Sequence, residues 1–205
     1  MSAELNMAVM GAAGNAGALF LGMLPFALLG VIVVVAAHLI LVIGRRRGSV
    51  PRSPWGWWAW LVYLGTLASV SVLAITSVVA MIQSGILGGW WLFLHMVGAG
   101  AFTFVLPVLA VTWCEAHRWG CPRQPSGGED QPPPSRFLGL AKAMFWLILI
   151  GGLVAIGTMI LSMLPVFGTD GLVLLLDIHR YAGLAVVVAT VLHLYAALLP
   201  RFGVS

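Results

Sequence analysis

The stretch L-V-L-L-L-D-I-H-R-Y-A-G-L-A-V-V-V-A-T-V-L-H-L-Y-A-A-L-L, residues 172–199, decides the fold. It is longer than the roughly 20 apolar residues that a helix needs to cross a hydrocarbon core of about 30 Å. Its few ionisable groups include two imidazoles, His179 and His193. Their separation of fourteen residues (193 − 179) is close to four helical turns, so both project from one helix face, about 21 Å apart along the axis. Ionisable side chains at such positions are costly and generally mark function.

Working outward, four further runs reach spanning length: residues 19–43, 57–82, 90–113 and 143–164. Across the 205 residues, 61% are hydrophobic and 8% charged, and the mean hydropathy is +1.05. That composition excludes an ordinary water-soluble domain and points to an all-α integral membrane bundle of five transmembrane helices, a single domain over 1–205. The N-terminus has neither a basic leader nor an obvious cleavage site and reads as a retained first helix. Two cysteines, Cys114 and Cys121, are too few for a disulfide framework or for a four-thiolate iron–sulfur cluster. The excess of basic residues has the distribution of a membrane protein and gives no reason to expect nucleic acid.

The connections set the topology. Residues 44–54 carry Arg45, Arg46, Arg47 and Arg52, and the segment E-A-H-R-W-G-C-P-R-Q-P-S-G-G-E-D-Q-P-P-P-S-R, residues 115–136, reads as an irregular loop. With five spans, these two connections and the C-terminus share one side. Nine of the ten Lys and Arg residues fall there: the four above with Arg118, Arg123, Arg136, Lys142 and Arg201; the tenth is Arg180. The positive-inside rule then expects this side in the cytoplasm of a bacterial inner membrane and the N-terminus outside. Trp55, Trp57, Trp58, Trp113 and Trp119 fall at the inner edges, and Trp90 and Trp91 at an outer edge, as interfacial tryptophans do.

Topology also matches histidines by depth. His38 lies seven residues before Arg45 and His193 eight before Arg201, both near the inner face; His95 and His179 lie near the outer starts of their helices. Two imidazole pairs stacked across a bilayer suit the axial ligation of two six-coordinate b-type haems, His38 with His193 inside and His95 with His179 outside. Gly98, three residues after His95, and Gly183, four after His179, would leave room for a porphyrin. Arg180, Arg45–Arg47 and Arg201 would meet its propionates. The alternatives are imidazoles hydrogen-bonded between helices, or a haem-free transporter subunit with a histidine proton relay.

This pattern resembles the dihaem cytochrome b subunits of formate dehydrogenases and nickel–iron hydrogenases, their gamma subunits. That family places one ligand on the first helix, one on a middle helix and two on the last, at the interval of His179 and His193. The resemblance implies the pairing given above, a membrane anchor that moves electrons between an iron–sulfur or catalytic partner subunit and the quinone pool, and menaquinone or ubiquinone as substrate. The family core is usually four helices, whereas here the histidine-free run 57–82 is added. Five-helix subunits resembling those of nitrate or fumarate reductase, and stand-alone cytochromes resembling the b561 group, are the neighbouring possibilities.

Quinone chemistry takes up protons and so needs titratable groups near water. Glu115, His117 and Lys142 are the candidates at the inner side, with Asp170 and Asp177 as alternatives at the outer side, where Asp177 would otherwise pair with Arg180. Cys114, His117 and Cys121 would give a metal only three ligands, short of a closed tetrahedral site.

Overall fold

The computed structural model describes residues 2–42, 56–84, 87–115, 117 and 136–198, with side chains described for 17–40, 56–83, 87–115, 117 and 139–197. The chain forms five helices: α1 (Ser2–Val42), α2 (Trp57–Ser84), α3 (Gly89–Trp113), α4 (Arg136–Ser162) and α5 (Thr169–Leu198). All five are long and apolar enough to cross a membrane. Among the described residues there is no strand. Large apolar side chains are exposed along every helix, for example Phe26, Ile82, Phe104, Ile150 and Leu174. Such a surface suits hydrocarbon as its solvent and would be untenable in water.

Two boundaries differ from the sequence reading. α1 begins at Ser2, well before residue 19, because the Ala-rich and Met-containing segment ahead of it has good helix formers despite its three glycines. α4 begins at Arg136, two residues after the last of prolines 132–134 in the sequence, which cannot continue a helix interior. Lys142 therefore stands on α4 and not in the preceding loop.

The packing makes a ring of four helices with a fifth outside it. α4 and α5 pack together most extensively, followed by α2 with α3; α2 also meets α5 and α3 meets α4, which closes the ring α2–α3–α4–α5. Its diagonals are α3 with α5 and α2 with α4. α1 is peripheral and packs along α5. It runs parallel to α5: Phe20 sets its ring edge-on to Tyr181 (5.6 Å), and His38 does the same farther along with Tyr195 (5.7 Å). The span of α1 is the least buried of the five, as a helix with lipid on most of its circumference should be.

The ring has a dry middle. Phe102, Leu106 and Leu109 from α3, Phe145, Ile148 and Leu149 from α4, Val62 and Val70 from α2, and Val186 and Ala189 from α5 form one buried apolar cluster. Close approach is enforced by glycine: a Cβ on Gly152 would lie 3.0 Å from Leu106 Cδ2 and 3.1 Å from Phe102, and one on Gly151 would lie 3.0 Å from Val186 Cγ2. Val186 is midway between His179 and His193 in sequence, and Leu106 midway between His95 and His117, so this layer separates two levels that carry imidazoles.

Candidate functional site: two levels of paired imidazoles

At the first level, His95 on α3 faces His179 on α5 across the ring diagonal, with ring centroids 6.5 Å apart and planes inclined by 69°. Each imidazole is held by the other helix of its own hairpin. His95 Nδ1 lies 3.0 Å from Thr76 Oγ1 and 3.3 Å from Ser77 Oγ, both on α2. The Thr76 hydroxyl proton is already committed to the Val72 carbonyl at 2.7 Å, so its oxygen accepts and His95 Nδ1–H donates. His179 Nδ1 donates to the Ala155 carbonyl on α4 at 2.9 Å, with Thr158 Oγ1 beside it at 3.4 Å.

At the second level, His193 on α5 donates Nδ1–H to the Ala141 carbonyl on α4 at 3.0 Å. The repeat follows from antiparallel packing: fourteen residues separate His179 from His193, and fourteen separate Ala155 from Ala141 in the opposite sense. The neighbouring imidazole is His117, one turn beyond the end of α3, with ring centroids 5.5 Å apart and planes inclined by 43°. His117 Nδ1 donates to the Trp113 carbonyl at 3.0 Å, and Phe145 stacks on its ring at 4.2 Å and 17°. Trp146 Nε1 donates to the His117 carbonyl at 3.1 Å, fastening this turn to α4. A straight helix would put His117 about 33 Å beyond His95. Its ring turns back towards Trp113 and lies beside that of His193.

Hydrogen-bond accounting fixes the tautomer. A carbonyl can only accept, so His117, His179 and His193 carry the proton on Nδ1; His95 does so by the Thr76 argument. Among the described residues none of the four Nε2 atoms has a hydrogen-bond partner. Each presents a lone pair on Nε2, and an imidazole whose Nδ1–H is tied to a carbonyl or hydroxyl is oriented to bind a metal through that lone pair. For His117, outside the spans, burial holds the pKa below the ordinary imidazole range, with His193 and Lys142 acting in the same sense and the Trp113 carbonyl opposing.

No known protein family, curated protein or solved structure matches this chain. The site has to be judged on its own geometry. Metal–imidazole bonds of about 2.0 Å separate two trans nitrogens by about 4 Å and place the ring centroids about 6.3 Å apart. The His95–His179 centroid separation of 6.5 Å is close to that value. A Cβ on Gly183, one turn after His179, would meet nothing within 4 Å, so the space beside it is open. No cluster of three or more His, Cys, Asp or Glu occurs among the described residues, so a polydentate metal site of zinc type has no basis there. A group that brings its own equatorial ligands and asks the protein for two imidazoles fits the donor set.

The remaining candidates fall as follows. Gly98 packs against α2, where a Cβ would lie 2.9 Å from Val72 Cγ1, so its smallness serves helix contact. Arg180 pairs with Asp177 at 3.1 Å and passes over Gly17 of α1. Lys142 acts electrostatically on His117, whereas Glu115 is exposed, so two of the three quinone-site candidates share one neighbourhood. His38 places Nδ1 against the Tyr195 hydroxyl. Tyr195 is two residues past His193, about 200° around α5, so His38 addresses a different face from the one that carries His193. α1 stands outside the ring, so the imidazole beside His193 is that of His117, while His38 meets Tyr195. Cys121, Arg45, Arg46, Arg47, Arg52, Arg118, Arg123 and Arg201 lie outside the described residues, and Cys114 is a half-buried free thiol.

Sequence reasoning missed Thr76, Ser77, Thr158 and the carbonyls of Ala141 and Ala155. A buried hydroxyl two turns from a helix end is an ordinary membrane feature. A backbone carbonyl leaves no mark in sequence beyond the small alanine side chain that lets an imidazole approach.

Proposed function

We propose that the protein is a membrane cytochrome b that carries electrons across the bilayer between a partner redox subunit and the quinone pool. The observation that carries the reading is the His95–His179 pair: two imidazoles from diagonal helices, centroids 6.5 Å apart, each with Nδ1 tied by the neighbouring helix and Nε2 left for a metal. His95 and His179 hold one b haem, and His193 is a ligand to a second, about 21 Å away along α5. Haem bound there supplies reversible one-electron chemistry of its iron. The chain fixes ligand orientation, and through the apolar layer of Phe102, Leu106 and Val186 it keeps water from the space between the two levels. That layer also disfavours a transporter with a histidine water wire, which requires a hydrated path.

In this reading Arg45–Arg47, Lys142 and Arg201 mark the cytoplasmic side by the positive-inside rule, and the N-terminus is outside. The quinone reacts at the inner end of the bundle, where Lys142 on α4 brings a cation. The partner is an iron–sulfur subunit of a membrane oxidoreductase, following the resemblance to the gamma subunits of formate dehydrogenase and nickel–iron hydrogenase. The likeness is in ligand logic more than in helix order, since the four-helix core here is α2–α5.

The test is a reduced-minus-oxidised visible spectrum of protein purified from a haem-replete host, with pyridine haemochrome quantification. Two b haems per chain are expected, with His95→Ala and His179→Ala each losing the same one. A folded, membrane-inserted preparation without haem overturns the proposal.

A further inference from the structure

We infer that His117, and not His38, is the second axial ligand at the His193 level. The inference rests on the cytochrome reading and adds to it a ligand that the spacing of histidines within spans does not suggest. The first argument is topological. The His95–His179 site lies between α3 and α5, the diagonal of the ring, and His117 extends α3 to the other end of that same diagonal. His38 is on the peripheral helix and contacts α5 at Tyr195, away from the His193 face.

The second argument is local chemistry. His117 donates Nδ1–H to a backbone carbonyl, as His179 and His193 do, and so presents the same metal-ready Nε2. Its carbonyl is anchored to α4 by Trp146, which limits the freedom of a ligand that would otherwise lie on a loop. The walls are flat and aromatic, with Tyr63 6.1 Å and Phe145 6.4 Å from the His193 ring. The centroid separation of 5.5 Å is short of the roughly 6.3 Å of a bis-imidazole site. Ligation therefore requires His117 to move outward over Phe145, which a residue just past a helix end can do.

The experiment uses the full-length protein in detergent, comparing His117→Gly and His38→Gly for haem content, for the low-spin to high-spin ratio in the visible and electron paramagnetic resonance spectra, and for the response to added imidazole. His117→Gly is expected to lose one haem or leave it high-spin, and 10 mM-scale imidazole is expected to restore the low-spin signal by filling the cavity. His38→Gly should keep two low-spin haems. Retention of two low-spin haems in His117→Gly, a loss that imidazole does not rescue, or an imidazole-rescued loss in His38→Gly each overturns the assignment. The His95–His179 haem in the same samples reports that the bundle is folded, and its absence from the unmutated protein defeats the cytochrome reading itself.

Discussion

Replacing Thr76 with valine and Ser77 with alanine removes both hydroxyl acceptors of the His95 Nδ1–H while nearly conserving volume. In the structure these are contacts of 3.0 and 3.3 Å, and the Leu73 carbonyl is a further acceptor beside this imidazole. Loss of a neutral hydrogen bond costs about 0.5–1.5 kcal/mol, and an orphaned donor in a half-buried site costs about 1–3 kcal/mol. Partners of this kind typically change metal affinity about 10–100-fold, which at 1.4 kcal/mol per tenfold corresponds to about 1.4–2.8 kcal/mol. The expected result is faster haem loss from one of two sites, measured by transfer to an excess of apomyoglobin. The midpoint potential of that site should rise, because an imidazole that no longer donates Nδ1–H to an acceptor is a poorer electron donor to iron. Unchanged transfer rates and unchanged potentials at both sites would refute the view that α2 orients a ligand.

Other predictions separate packing from cofactor space. Gly98→Leu should destabilise the protein by about 1–3 kcal/mol or more because its first added carbon already lies 2.9 Å from Val72, whereas Gly183→Leu should leave thermal stability nearly unchanged and lower haem loading at the His95–His179 level. Gly152→Val should cost a similar 1–3 kcal/mol by forcing Leu106 and Phe102 apart, read as a lower unfolding temperature in detergent. Phe145→Ala should cost about 3–5 kcal/mol as a fully buried aromatic and should also loosen His117, seen as broadened low-spin signals from one site only. Membrane-impermeant thiol reagents should label Cys114 and Cys121 from the cytoplasmic side of inner-membrane vesicles; labelling from the opposite side would reverse the proposed orientation.

Much of the architecture was legible in the chain. Span number and order follow from the length of apolar runs, because a hydrocarbon solvent forces every backbone polar group into helical hydrogen bonds and leaves few options. The fourteen-residue interval of His179 and His193 gave their shared face directly, since helical pitch is fixed. The His95–His179 juxtaposition was also expected from depth alone. Depth did not suffice for His193, because His38, His117 and His193 all lie near one end of the bundle and sequence ranks them only along the membrane normal.

Lateral order is what the tertiary structure decided. Which helices become neighbours depends on side-chain fit, such as the Gly151 and Gly152 contacts that seat α4 against α5 and α3, and that fit is a property of pairs of surfaces with no counterpart in a one-dimensional periodicity. That lateral order put α1 outside the ring, made α2 the support of His95 and not a mere insertion, and joined His193 to a residue beyond the end of α3. It also separated two glycines with the same sequence argument, Gly98 closed by Val72 and Gly183 open. The sequence determined which residues carry the chemistry and at what depth, because composition and pitch act along each helix; the partners were decided by packing, because only contact between helices chooses who faces whom.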